Sequence, residues 1–189
     1  MALSPEHAAR DALRARQGPG ARYDSANAPS DALILARRGT AYFSRKLNEL
    51  RDDELDMPSL VEGWSRRHII AQVSYHARAL ARVAEAANLG VAVPMYPSAD
   101  ARAAEINLGA TLPARALRTL FQHTEVHLNV IWRDLPDTAW SAQVDLMPEQ
   151  TKNLTETDRI RAREVWSRSV QLNNGGAERD IPLSLLSIQ

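Results

Sequence analysis

The sequence predicts an all-α fold, a four-helix bundle with one long crossover connection and a short extra helix, and three observations carry that expectation. Large apolar side chains recur at threes, fours and sevens in four separate stretches. Capping residues precede those stretches, and glycine or asparagine stops follow them. The weakly alternating segment SAQVDLMPEQTKNL is the one place where a small hairpin or irregular connection is expected. Long amphipathic helices joined in this way bury their apolar stripes against one another.

In chain order, Ser30 caps a first helix of about 31–51 carrying Leu33, Ala36, Phe43, Leu47 and Leu50 on one face. Ser65 caps a second, with a stripe of Ile70, Val73, Ala77, Leu80, Ala84 and Ala87, which ends near Gly90; Gln72 and His76 flank that stripe. The two prolines of VAVPMYPSADARAAEINLG mark a loop expected to cross over a site. A short helix capped by Ser98 and stopped at Gly109 follows it. Pro113 opens a third long helix on Leu117, Phe121, Thr124, Leu128, Ile131 and Leu135. Thr155, with Asp158 three residues on, caps a fourth that runs to about Leu172 and stops at Asn173, Asn174, Gly175 and Gly176.

The bulk properties bound what such a bundle does. A length of 189 residues suits one well-buried core. Residues 1–29, rich in Ala, Arg and Pro, are expected to form a flexible extension, and 30–189 the bundle. Lys plus Arg and Asp plus Glu are both 23, so no global field steers the chain toward nucleic acid or an anionic membrane. With no cysteine there is no disulfide, no thiolate nucleophile and no cysteine metal site. No signal-peptide or membrane-spanning run is present, so a cytoplasmic protein is expected. A phosphate-cradling glycine loop, a dinucleotide fingerprint, a GxSxG elbow and a basic stripe with interleaved aromatics are all missing. Oligomeric state is not legible.

Four blocks carry a resemblance: LARRGTAYFSRKLNEL, SLVEGWSRRHIIAQVSYHARAL, PMYPSADARAAEINLG and RAREVWSRSVQL. In order and spacing they resemble the mycothiol-dependent maleylpyruvate isomerases of the DinB-like metalloenzyme superfamily, over about residues 33–185. The resemblance implies a DinB-like bundle. It also implies a divalent metal, usually zinc, held by one histidine of the second helix and a Glu-x-x-x-His pair of the last, with an open position for a thiol or water. Aligned on this chain, those ligands fall on Gln72, Glu164 and Arg168. An arginine cannot coordinate, so the resemblance implies a dismantled metal site, with no cofactor expected and zinc or a small thiol only if the substituted site still functions. Glu164 and Arg168 stand in the favoured order for a helical ion pair, and Gln72 is placed to bond to either. Three readings of this node stay open: a structural polar centre, a metal-free catalytic or binding centre, and a metal held in an altered way through His76.

Arg102 matches the arginine that the family uses for its dicarboxylic substrate, and a guanidinium there grips a carboxylate in two places. The partner expected is therefore a small acidic molecule. Glu164 or His76 would supply acid-base help, Arg102 and Arg168 would stabilise negative charge, and Gln72 and Trp166 would line the substrate pocket, though core packing competes for Trp166. His123 and His127 have the spacing of a metal pair but no evident third ligand. The chain runs out at RDIPLSLLSIQ, where the isomerases continue into a smaller domain, so that domain's contribution is expected to be missing or supplied in trans. Three functions follow as expectations: a metal-free enzyme on a small carboxylated or unsaturated molecule, a non-catalytic ligand- or partner-binding relative, and the parental metal- and thiol-dependent isomerisation or thiol transfer.

Overall fold

The computed structural model describes residues 23–147 and 150–186. Helices α1 (Ser30–Asn48), α2 (Arg66–Asn88), α4 (Ala114–Asp134) and α5 (Leu154–Gln171) are the four long rods; α3 (Ala99–Ala110) is the short extra helix. A two-stranded antiparallel hairpin, β1 (Gln143–Met147) and β2 (Gln150–Asn153), joins α4 to α5, and a one-turn α6 (Leu183–Leu186) follows. Helix α1 packs along α5 and α2 along α4, with α2 also meeting α3 and α5.

The apolar stripes meet as their spacing requires. Leu33, Ala36, Phe43 and Leu47 of α1 are buried, and Phe43 lies 5.2 Å from Phe121 of α4, ring centre to ring centre. Burial of side chains of this size stabilises by roughly 1.5–3 kcal/mol each. Helix α2 is buried almost all round, from Ile69 to Ala84, because α4, α5 and α3 cover it on different sides. That is why Gln72 and His76, which the sequence places beside the stripe, lie inside at 1% and 5% exposure.

Three helix ends differ from expectation. Helix α1 begins behind Pro29 with no side-chain cap, so Ser30 is its first residue rather than its cap. Helix α5 starts two residues early: Asn153 leaves β2 and enters the helix directly, and Glu156 accepts from the Asn153 backbone N–H at 3.0 Å. Asp158, expected to complete the cap, is buried instead. Helix α3 runs through Gly109, which is there for close approach, since an added Cβ would strike the Tyr75 ring of α2. The Ser98 cap forms as expected, its hydroxyl accepting from Ala101 N at 3.0 Å.

The crossover loop is fastened to the hairpin. Met95 N donates to Asp145 O at 2.7 Å and Tyr96 N to Leu146 O at 3.3 Å, so the loop lies along β1 and delivers Tyr96 inward. Of the expected extension, residues 1–22 lie outside the described residues. Residues 23–29 carry contacts to the bundle: Asp24 takes two 2.6 Å bonds from Arg37, and Asn27 N donates to Asp137.

Helix α1 lies close to α5 at Gly39, where a Cβ would lie 2.5 Å from Val165 Cγ2 and 2.7 Å from Trp166 Nε1. Gly39→Ala is expected to lower unfolding stability by about 1–3 kcal/mol in urea titration, the cost of overpacking a tight contact.

Candidate functional site

The polar centre is built from the inner faces of α2 and α5, with α3 and the crossover loop alongside. Gln72 and His76 follow one another by a turn on α2; Arg161, Glu164 and Arg168 occupy one face of α5 at spacings of three and four. Gln72 Nε2 donates to Glu164 Oε1 at 2.6 Å, and Arg168 Nε donates to the same oxygen at 2.9 Å. Arg168 also donates to Gln171 Oε1 at 2.5 Å, and its guanidinium lies 5.7 Å from the Trp64 ring centre. The predicted three-residue node therefore forms. Trp64 in turn stacks on His68, whose Nδ1 accepts from Ser65 N at 3.2 Å to cap α2.

Charge on these groups is set by burial and neighbours. Burial works to raise Glu164, but the His76 and Arg168 charges and the bonds from Gln72 and Arg168 outweigh it and hold its carboxyl at about 2. Burial drives His76 down to about 3, Glu164 opposing and Arg161, Arg102 and Arg168 reinforcing the shift. Burial likewise lifts the Tyr96 phenol to about 12. Near neutrality the centre thus holds a fixed carboxylate, a neutral imidazole and a neutral phenol. The acid-base role expected of Glu164 and His76 does not suit such values: Glu164 stays ionised and weakly basic, and His76 stays unprotonated.

Arg102 reaches the centre from α3. Its guanidinium lies 5.5 Å from the Tyr96 ring centre, and it makes no side-chain hydrogen bond or ion pair among the described residues; its Nε is buried without a partner. Its charge is felt by both His76 and Tyr96.

Trp166 is not brought to this group. Its indole N–H donates to Leu35 O at 3.1 Å and its ring stacks on Tyr42, so it faces α1 as a packing residue and not this centre. His123 and His127 lie on the outer side of α4, where His127 Nε2 meets Glu85 at 3.2 Å. Sequence reasoning missed Arg161, Glu125, Tyr96 and Trp64. The signal for Arg161 was an arginine three residues before Glu164 on the face that Val165 and Ala162 bury.

The residues present do not fit the metal that the resemblance implies. A guanidinium has no lone pair to give, and the bonded oxygen of Glu164 is already engaged by two donors. Among the described residues no group of three or more His, Cys, Asp or Glu is arranged to hold an ion.

A mostly helical bundle of this order, with only a two-stranded sheet, has the DinB-like fold. A sequence profile of the mycothiol maleylpyruvate isomerase N-terminal domain matches residues 36–173, and the chain belongs to that family. A crystal structure of the mycothiol-dependent maleylpyruvate isomerase superposes with a TM-score of 0.80 at 41% identity, covering 84% of this chain and 66% of that one. The crystal structure of a histidine-to-alanine mutant matches with the same values. This chain spans just under two thirds of the length of those proteins. Comparison with curated proteins gives no match.

Two outcomes are expected. Arg168→Met leaves a mostly buried carboxylate without its cation and is expected to cost roughly 2–3 kcal/mol in denaturant titration, with the Glu164→Gln change in the same chain recovering much of the loss. Stability is also expected to fall on acidification. Between about 6.5 and 3 the unfolded chain protonates His76 while the fold does not, and between about 4.5 and 2 the same holds for Glu164. Both contributions are complete above about 6.5 and drain as pH falls, whereas Asp158, raised by burial, contributes in the opposite sense, losing stability as pH rises through its own titration. Thermal melts from pH 7 to pH 4 measure the sum, and His76→Phe should flatten the upper part of the curve.

Proposed function

We propose that this chain binds a small carboxylated, unsaturated organic molecule at the centre between α2, α3 and α5 and polarises it without a metal. The observation that carries this reading is Arg102: a guanidinium beside the centre, over the Tyr96 ring, with no anion of its own among the described residues. A cation so placed lacks the counter-charge that a ligand carboxylate would supply in a two-point grip. Arg168 takes over the positive charge that a metal would bring, and Glu164 serves as its anchor.

The chemistry that suits these groups is electrostatic. A carbonyl conjugated to a carbon-carbon double bond, with its oxygen facing cationic and N–H or O–H donors, shifts electron density toward that oxygen. The double bond then loses order, rotates and recovers, with no proton moved and no covalent bond to the protein. Arg102, the His76 N–H and the Tyr96 hydroxyl are the donors available for this, all in the protonation states described above. Such a route would need neither the metal nor the thiol cofactor. The relatives' names attach mycothiol to their reaction, and addition of mycothiol to the assay is the direct comparison.

A second reading, a ligand-binding relative without turnover, is favoured by one observation. Neither Glu164 at about 2, His76 at about 3 nor Tyr96 at about 12 can exchange a proton readily near neutral pH. The two readings separate on whether maleylpyruvate, incubated with saturating protein, changes its alkene geometry.

Binding of maleate by calorimetry is the first test. Arg102→Ala is expected to weaken it tenfold or more, the loss of a charge-assisted contact of about 1.5–3 kcal/mol; equal affinity removes Arg102 from the site. Purified, chelator-free protein is expected to carry well under one metal per chain, and the double change Gln72→His with Arg168→His is expected to bring zinc uptake near one per chain. Failure of that variant to bind zinc would count against placing the site at these three positions.

A further inference from the structure

Arg161 is the only charged side chain among the described residues that is both permanently ionised and fully covered. It spans three helices: Nη1 donates to Val73 O of α2 at 2.8 Å and meets His76 Nδ1 at 3.3 Å, and Nη2 pairs with Glu125 of α4. Burying a guanidinium costs several kcal/mol unless it is paired and bonded. Glu125 settles its charge, so the contact to His76 needs another reason.

A guanidinium can only donate. The nitrogen that faces it must therefore offer a lone pair, which fixes Nδ1 of His76 as the acceptor and puts the ring proton on Nε2. A proton on Nδ1 would set two donors against each other in a buried site. The groups whose charges act on His76 reinforce this arrangement: Arg102, Arg161 and Arg168 oppose an imidazolium, and only Glu164 favours one.

We propose that Arg161 is a positioning residue that holds His76 as the neutral, Nε2-protonated tautomer, so that the ring presents an N–H donor and not a base. The assignment deepens the polarising site described above, because a neutral imidazole donates to developing negative charge without being exhausted as a proton source. It also explains why the pairing partner comes from α4. With Glu125 compensating Arg161 from the far side, the guanidinium can face the imidazole without demanding a carboxylate at the centre itself. The tautomer, unlike the binding reading, is a property of the ligand-free protein.

Nitrogen NMR of protein labelled at its histidines tests it, with His76 assigned by difference from His76→Asn. The wild-type ring is expected to show a protonated Nε2 and, at Nδ1, a lone-pair nitrogen shifted by an accepted hydrogen bond. In Arg161→Met combined with Glu125→Gln, which keeps the interior neutral, the Nδ1 resonance should move to the position of a free lone-pair nitrogen, and the two tautomers should begin to exchange. A wild-type spectrum with the proton on Nδ1 overturns the proposal, as does an Nδ1 resonance unchanged in the double variant. If that variant does not fold, the wild-type spectrum alone decides. Loss of maleate binding in Arg102→Ala concerns the ligand reading and leaves this result standing, and the converse also holds.

Discussion

Charge that the bundle has taken inside must be balanced inside, and that constraint organises the centre of this protein. Glu164 sits where two helices leave little room for water, and it survives as a carboxylate because Arg168 and Gln72 converge on one of its oxygens. Arg161, one turn earlier, is covered completely and so requires Glu125 from across the bundle. The two pairs divide the work: one neutralises the acid at the centre, the other neutralises the base behind it. What is left uncompensated is Arg102, which comes from a different helix and a different layer. The geometry thus separates structural charge from available charge.

The same separation accounts for how the helices are covered. A helix buried on several sides, as α2 is, carries small residues where neighbours approach and polar ones only where a partner is waiting. Ala71, Ala77, Ala79, Ala81 and Ala84 let α3, α4 and α5 come close, while Gln72 and His76 meet Glu164 and Arg161. Ser74 disposes of its hydroxyl on Ile70 O at 2.7 Å within its own helix. No other helix of the described chain buries as many alanines.

Much of this was legible in the sequence, for reasons that differ by level. The four rods and the extra helix follow from period and caps, because burial of an apolar stripe is a local property of spacing. The Gln72, Glu164 and Arg168 node was legible because residues four apart share a helical face and the family resemblance supplied the third position. Arg161 was not, since an arginine on a buried face reads as an exposed one until the acid that accepts it, thirty-six residues away on α4, is placed opposite. Trp166 misled for the converse reason. Its position between Glu164 and Arg168 in sequence says nothing of direction, and a residue two beyond Glu164 turns to another side of the helix, here toward α1. The cap of α5 falls on Asn153, whose own pattern with Glu156 three residues on competes with that of Thr155 and Asp158, and the hairpin that ends at Asn153 decides between the two.

Two backbone hydrogen bonds seam the crossover loop to β1. Tyr96, the residue that carries Arg102 above it, is therefore set by backbone pairing rather than by helix packing. Opening that seam would expose the edge of β1 and withdraw the phenol from the interior together. The Met95 and Tyr96 amides, protected only while the seam is closed, are natural clocks for it by hydrogen exchange.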